Sequence, residues 1–365
     1  MKALVISVDL GNPDFQAHSD EFIMLAEGAG ADIVGHLVAR RQRPDAAYFI
    51  GKGKLEEAAL LADSSEAEII LFDQPLSPAQ QRNIERALKR RVIDRVALIL
   101  DIFALRAQSH EGKLQVELAQ LQHLVTRLTR LWTHLERQRG GIGMRGPGES
   151  QLEMDRRMIG AKVKLLKERL AKAQKRRNTQ RRARTRRGTM SVSLVGYTNA
   201  GKSTLFNALT RAGAYEADQL FATLDTTTRK LWIDDFGQVV VSDTVGFIRD
   251  LPPTLIAAFR ATLEETVQAD LLLHVVDAAS PQRDEQIAEV NKVLADIGAG
   301  EIPRILVYNK IDAAGYEPRV ERDEHGTIVR VFVSALARAG LDGLRQAIVE
   351  SGQVAGNNAF NVENI

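Results

Sequence analysis

Along the first hundred residues, runs of continuous apolar side chains alternate with stretches of mixed polarity. "ALVISVDL" (3–10), "ADIVGHLVAR" (31–40), "EIILFD" (68–73) and "VALILDIFAL" (96–105) read as strands. Their nearly unbroken Val, Ile and Leu content predicts a sheet covered on both faces. Between them, "SDEFIMLAEGAG" (19–30) and "SPAQQRNIERALKRR" (77–91) read as helices, the second opening on a Ser-Pro start signal. The expectation for residues 1–111 is an α/β domain with a mostly parallel sheet. Gly51-Lys52-Gly53-Lys54 precedes a helical stretch and fits either a phosphate-binding helix start or a plain strand-to-helix turn.

The period changes after residue 111. Leu114, Leu118, Leu121, Val125, Leu128, Trp132 and Leu135 recur in alternating steps of four and three, a heptad seam. Leu152, Ile159, Val163, Leu166, Leu170 and Ala173 give a second seam of the same kind. "RGGIGMRGPGESQ" (139–151) interrupts them with five glycines and Pro147, a composition that breaks a helix interior. Residues 112–187 therefore read as an antiparallel helical hairpin. Its tip is far longer than the few residues a helix–helix turn needs, and Arg130, Arg137, Arg139, Arg145, Arg156 and Arg157 flank it. That reads as a probe rather than a connector.

Charge sharpens this picture. The chain of 365 residues carries only +2 overall, yet Arg156–Arg187 holds fifteen Lys or Arg against the single acid Glu168, so this segment carries +14 and the remainder −12. Nine of the sixteen residues 172–187 are basic, which marks a polyanion-binding arm more than a solvated helix face. The absence of cysteine excludes disulfides and Cys-based zinc sites. His123 and His134 share a helical pattern and read as packing or surface residues. The opening apolar run is too short for a signal peptide, and no run approaches the length of a membrane span. A cytoplasmic location is expected.

From Met190 the pattern becomes strand, loop, helix: "MSVSLVGYTNAGKSTLFNALT". Gly196-Tyr197-Thr198-Asn199-Ala200-Gly201-Lys202-Ser203 matches the P-loop in the context that gives the motif meaning. Backbone N–H groups from Asn199 to Thr204 would cradle phosphates, Lys202 would neutralise charge between the β- and γ-phosphates, and Ser203 would hold Mg²⁺. "ILVYNKID" selects the base. Asp312, in Asn309-Lys310-Ile311-Asp312, can accept from the two donors on one edge of guanine, which adenine lacks. Lys310 would pack along the base, and Ser334-Ala335-Leu336 would offer backbone N–H to guanine O6. In Asp243-Thr244-Val245-Gly246, Asp243 would reach Mg²⁺ through water and the Gly246 N–H the γ-phosphate. Between these motifs lies "LFATLDTTTR", where Thr223, Thr226, Thr227 and Thr228 are all candidates for the switch threonine. Residues 188–352 thus read as a Ras-like GTP-binding domain with a mostly parallel sheet, followed by a polar tail, 353–365. Phe247 follows the D-x-x-G turn where Ras-like enzymes place a water-orienting glutamine, and a phenyl ring cannot hold water.

These segments, with "YFIGKGKLEEAA", "EGKLQVELAQLQHLVTRL", "GGIGMRGPGESQLEMDRR" and "DTVGFIRDLP", resemble the HflX family of translational GTPases over nearly the whole chain. The resemblance implies that Thr223, after Phe221-Ala222, is the Mg²⁺ threonine, with Leu224 and Asp225 completing that loop. It makes Lys202, Thr223 and Gly246 the residues acting on the γ-phosphate. It departs from the family at Thr226, where proline is usual, at Met144 and Ser150, where threonines are usual, and after residue 352, where many members continue into a further domain. It further implies a monomer that binds the large ribosomal subunit and splits stalled or idle ribosomes, notably under heat stress, with some ATP hydrolysis in some members. Arg139, Arg145, Arg156, Arg157 and the basic helix 172–187 would meet ribosomal RNA, and turnover would stay slow until the ribosome orders the site. A ribosome-assembly or RNA-remodelling factor, and a signalling switch docking a protein through the coiled coil, share the motifs.

Overall fold

The computed structural model describes residues 1–131, 147–185, 189–210, 220–221, 223–249, 251 and 260–362. The chain forms two compact units, one of Met1–Leu105 with Lys113–Ala171, the other of Arg106–Gly112 with Lys172–Ile365.

The first unit is built on four parallel strands, β1 (Lys2–Asp9), β2 (Asp32–Arg40), β3 (Ile69–Phe72) and β4 (Arg91–Asp94), in the order β2-β1-β3-β4. Helices α1 (Phe15–Gly28), α2 (Lys52–Ser64) and α3 (Pro78–Leu88) connect them. Leu4, Ile6, Ile70, Phe72 and Ile84 form the core between sheet and helices. Ser77 starts α3 with a reciprocal cap, its hydroxyl accepting from the Gln80 N–H while the Gln80 side chain accepts from the Ser77 N–H. Gly51 precedes α2, which already includes Lys52.

One strand expectation fails. Residues 96–105 lie in a helix, α4 (Arg95–Arg106), and the strand is the shorter β4 before it. An unbroken apolar run has no period to separate a buried strand from a buried helix, so length decides. Leu98, Ile99, Leu100, Ile102 and Phe103 are all buried, and Asp94 caps the start by accepting from the Ala97 N–H at 3.0 Å.

The two heptad seams do meet: Leu114, Leu118 and Leu121 of α5 (His110–Leu131) pack against Val163, Leu166 and Leu170 of α6 (Pro147–Thr185). Lys162 and Glu117 bridge the arms at 2.6 Å. The helix begins at Pro147, inside the segment expected to be loop, because proline costs nothing at the first helical position, where its missing N–H has no partner to lose. Trp132, Leu135, Arg139 and Arg145 lie outside the described residues.

The second unit holds seven strands: β5 (Met190–Gly196), β6 (Thr227–Ile233), β7 (Gly237–Asp243), β8 (Leu271–Asp277), β9 (Arg304–Asn309), β10 (Arg319–Arg322) and β11 (Ile328–Phe332). Their order is β10-β11-β9-β8-β5-β7-β6, parallel except for antiparallel pairs at the two edges. Helices α7 (Lys202–Thr210), α8 (Arg260–Val267), α9 (Arg283–Asp296), α10 (Ile311–Ala314) and α11 (Leu341–Val362) surround it. Val192, Leu194, Phe206, Val241, Leu273 and Leu344 belong to its core. Helix α11 runs to Val362, so the expected polar tail is helical through most of its length.

Candidate nucleotide site

The strands β5, β7, β8 and β9 are parallel, so the turns at their carboxyl ends gather on one side of the sheet. The P-loop lies between β5 and α7. Asn199 adopts a left-handed conformation with φ of 61°. Lys202 is buried, and its Nζ donates to the carbonyls of Gly196 at 3.2 Å and Tyr197 at 2.7 Å. Burial pushes its pKa down to about 8, against the pull of Asp243.

Asp243 ends β7 beside this lysine. Its Oδ2 accepts from Ser203 Oγ at 2.7 Å and from Thr223 Oγ1 at 3.3 Å, and the two hydroxyls are 2.7 Å apart. Of the four threonines the sequence offers, this brings Thr223 to the P-loop serine. Thr228 instead pairs with Ser242 at 3.2 Å. Burial raises the Asp243 pKa, opposed by Ser203, Lys202 and Thr223. Its Oδ1 is buried with no hydrogen-bond partner among the described residues. Two hydroxyls on a carboxylate with a second, unpartnered oxygen form an all-oxygen donor set, which suits a hard cation such as Mg²⁺ whose remaining ligands come from phosphate and water.

The D-x-x-G turn is strapped to the P-loop by backbone. The Thr198 N–H donates to the Phe247 carbonyl at 2.7 Å, and the Phe247 N–H to the Gly196 carbonyl at 3.1 Å. A Cβ on Gly246 would stand 2.8 Å from Lys202 Nζ and 2.9 Å from Thr198 Cα, so only glycine brings the turn this close. Thr244 donates to the Leu194 carbonyl at 2.6 Å, and Val245 is buried. The Phe247 ring, 1% exposed, points into the protein. The Arg249 N–H donates to the Tyr197 hydroxyl at 2.8 Å, a tie the motif pattern does not announce.

Asn309 joins three loops. Its Nδ2 donates to the Ala200 carbonyl at 3.0 Å and its Oδ1 accepts from the Ala335 N–H at 2.9 Å. Lys310, left-handed with φ of 61°, is held by Asp277 at 2.7 Å. Sequence reasoning missed Asp277, although an acid at the end of the apolar strand "LLLHVVD" is a readable signal. Ile311 is buried and Asp312 exposed, free to meet a base edge. The Ser334 N–H donates to the Ala339 carbonyl at 3.0 Å and the Ala335 N–H is taken by Asn309, so of this triplet Leu336, 81% exposed, keeps its N–H open among the described residues.

Phe221 and Leu224 are buried on either side of Thr223, whereas Ala222 lies outside the described residues. The Asp225 carboxylate joins neither hydroxyl. It accepts from residues 108 and 109.

Three family profiles match the chain in series: GTP-binding GTPase N-terminal over residues 16–104, GTP-binding GTPase Middle Region over 106–192, and 50S ribosome-binding GTPase over 191–310. The chain is 55% identical over 338 residues to GTPase HflX of Escherichia coli strain K12, covering 92% of this chain and 79% of that one. It is 47% identical over 347 residues to GTPase HflX of Caldanaerobacter subterraneus subsp. tengcongensis, covering 95% and 79%. Among solved structures, the GDP complex of SsGBP aligns with a TM-score of 0.53 at 25% identity, covering 97% of this chain and 99% of that one.

Proposed function

The chain belongs to the HflX family of GTPases and hydrolyses GTP, and from that premise we propose that it binds the large ribosomal subunit and separates stalled or idle ribosomes, which in turn stimulate its hydrolysis. In this reading Lys202 and the N–H groups of 199–204 hold the phosphates, and the Gly246 N–H meets the γ-phosphate. Asp312 reads guanine, with Lys310 along the base, and the open N–H of Leu336 meets O6. Ser203 and Thr223 hold Mg²⁺, with Asp243 behind them. The bound ion would supply positive charge at the β- and γ-phosphate oxygens.

The observation that carries ribosomal stimulation is the buried ring of Phe247. The side chain after the D-x-x-G turn faces the core and has no atom that could orient water, so in this reading the geometry for attack comes from a partner. Arg156 and Arg157, exposed on α6, support an RNA-bearing partner, as does the basic half of the same helix. Arg139 and Arg145 are assigned to the same contact. No helix among the described residues is long and apolar enough to cross a membrane, and with a ribosomal partner the proposed location is the cytoplasm.

Light scattering of intact ribosomes tests this reading. Adding the protein with a non-hydrolysable GTP analogue should lower the signal as subunits part, and GDP should not. Binding of precursor particles in preference to mature subunits would replace the splitting reading with one of assembly.

A further inference from the structure

Residues 106–112 belong to the same compact unit as the nucleotide site, although they lie more than a hundred positions upstream of the switch loop. Asp225 Oδ2 accepts from the backbone N–H groups of Gln108 and Ser109, each at 2.7 Å, and Oδ1 accepts from Ser109 Oγ at 2.5 Å. Ser109 uses both capacities of its hydroxyl. It donates to Asp225 and accepts from the Gly112 N–H at 2.8 Å, capping the first turn of α5. A carboxylate at this end of a helix also meets the positive end of the backbone dipole. Gly112 completes the seat, because a Cβ there would overlap Asp225 Oδ1 and crowd its Cγ at 3.1 Å.

Two residues before Asp225 stands Thr223, whose hydroxyl lies 2.7 Å from Ser203. The loop between them is short, and Leu224 is buried, so fixing Asp225 restricts where Thr223 can go. We propose that Gln108-Ser109 and Gly112 form a brace built into the chain, and that Asp225 is a positioning residue holding Thr223 at the Mg²⁺ site. The family resemblance groups Asp225 with the nucleotide-binding loop, whereas the geometry gives its carboxylate to the start of α5. The inference rests on the assignment of Thr223 to Mg²⁺, and its consequence is specific. The brace should favour GTP, which needs the closed loop, over GDP, which does not.

Gly112→Ala tests this without removing any of the hydrogen-bonding groups, and alanine favours helix over glycine. In the full chain, affinity for a non-hydrolysable GTP analogue with Mg²⁺ should fall on the order of tenfold to a hundredfold, the scale of hydrogen bonds to a charged group. GDP affinity should stay within about twofold of the parent, because GDP does not use the closed loop. Hydrogen exchange of the amides of Thr223–Thr226 should quicken in the nucleotide-free protein. Asp225→Ala should do the same, and Ser109→Thr should preserve the parent behaviour. Loss of melting temperature in Gly112→Ala and Asp225→Ala, with unchanged GTP-to-GDP preference and unchanged exchange, would overturn the proposal and leave only a helix cap. Thr223→Ala separates the two levels. If it leaves analogue affinity intact, the Mg²⁺ assignment fails; if it lowers affinity and the brace variants do not, the brace fails alone.

Discussion

Three buried aspartates occupy matching places in the two sheets, each at the carboxyl end of a parallel strand, and those of the first sheet meet surroundings opposite to that of the second. Asp73, after β3, faces Arg95 at 3.1 Å, and the same guanidinium holds Glu21 at 2.5 Å. Asp94, one strand over, takes Arg127 at 2.6 Å and the Leu76 N–H at 3.0 Å. Each of these carboxylates has a guanidinium from its own unit. Asp243, the last residue of β7, accepts from two hydroxyls, keeps one oxygen unpartnered among the described residues, and stands near a lysine whose Nζ leans on two carbonyls. Burial raises the pKa of both Asp73 and Asp243, so desolvation alone does not distinguish them. What does is whether the fold completes the charge pairing. A completed network holds a domain together; an incomplete one is the place where a ligand's charge belongs.

Breaking the completed network should cost the most. Arg95→Met strands Asp73 and Glu21 in a site where the arginine is 4% exposed, and should remove about 3–5 kcal/mol of stability in urea unfolding. Loss of GTP affinity to the same degree would mean that the first unit's charges serve the nucleotide. Asp243→Asn tests the other side. Single-turnover GTP hydrolysis should fall by at least about a hundredfold, as expected when charge stabilisation at the transferring phosphoryl group is removed. The nucleotide-free protein should melt no lower than the parent, because a neutral amide removes a buried charge.

His274 offers a smaller, graded contrast. Buried on β8, it is pushed down from 6.5 to about 3 by burial, with Arg304 and Lys202 adding to the shift. The unfolded chain therefore binds the proton first, and the stabilising difference is complete above about 6.5 and lost as pH falls toward 3. Stability should decline by up to about 1.4 kcal/mol per pH unit across that window. His274→Leu should flatten the slope, and an unchanged profile would show that other groups set it. The smallest effect belongs to the surface. Replacing Arg156 and Arg157 with Ala should lower the salt dependence of binding to large subunits by roughly one unit of slope for each phosphate no longer neutralised, with basal hydrolysis unchanged.

Much of this was legible in the chain because glycine and apolar period are local signals. β1, β2 and β3 follow from their Val and Ile runs, and the P-loop from glycines that leave backbone room. α4 was not legible, since "VALILDIFAL" is buried on too many sides to show a helical period. Four threonines within six residues could not be ranked by spacing; the family resemblance singled out Thr223, and its proximity to Ser203 separates it from Thr228. The partnership of Asp225 with Ser109 has no local signature, and the acid ending "LLLHVVD", though readable as a site residue, does not announce Lys310 as its partner. Each joins segments that the fold alone brings together.

In the proposed reading, the GTP site of the second unit takes its missing water-positioning geometry from the ribosome. Single-turnover GTP hydrolysis, measured with and without purified large subunits at fixed Mg²⁺, addresses it most directly. Basal turnover should be slow and accelerated on the order of a hundredfold or more, within the range over which partner proteins complete such sites, and ribonuclease treatment of the subunits should abolish the acceleration. Rapid hydrolysis by the isolated protein, unchanged by large subunits, would contradict it.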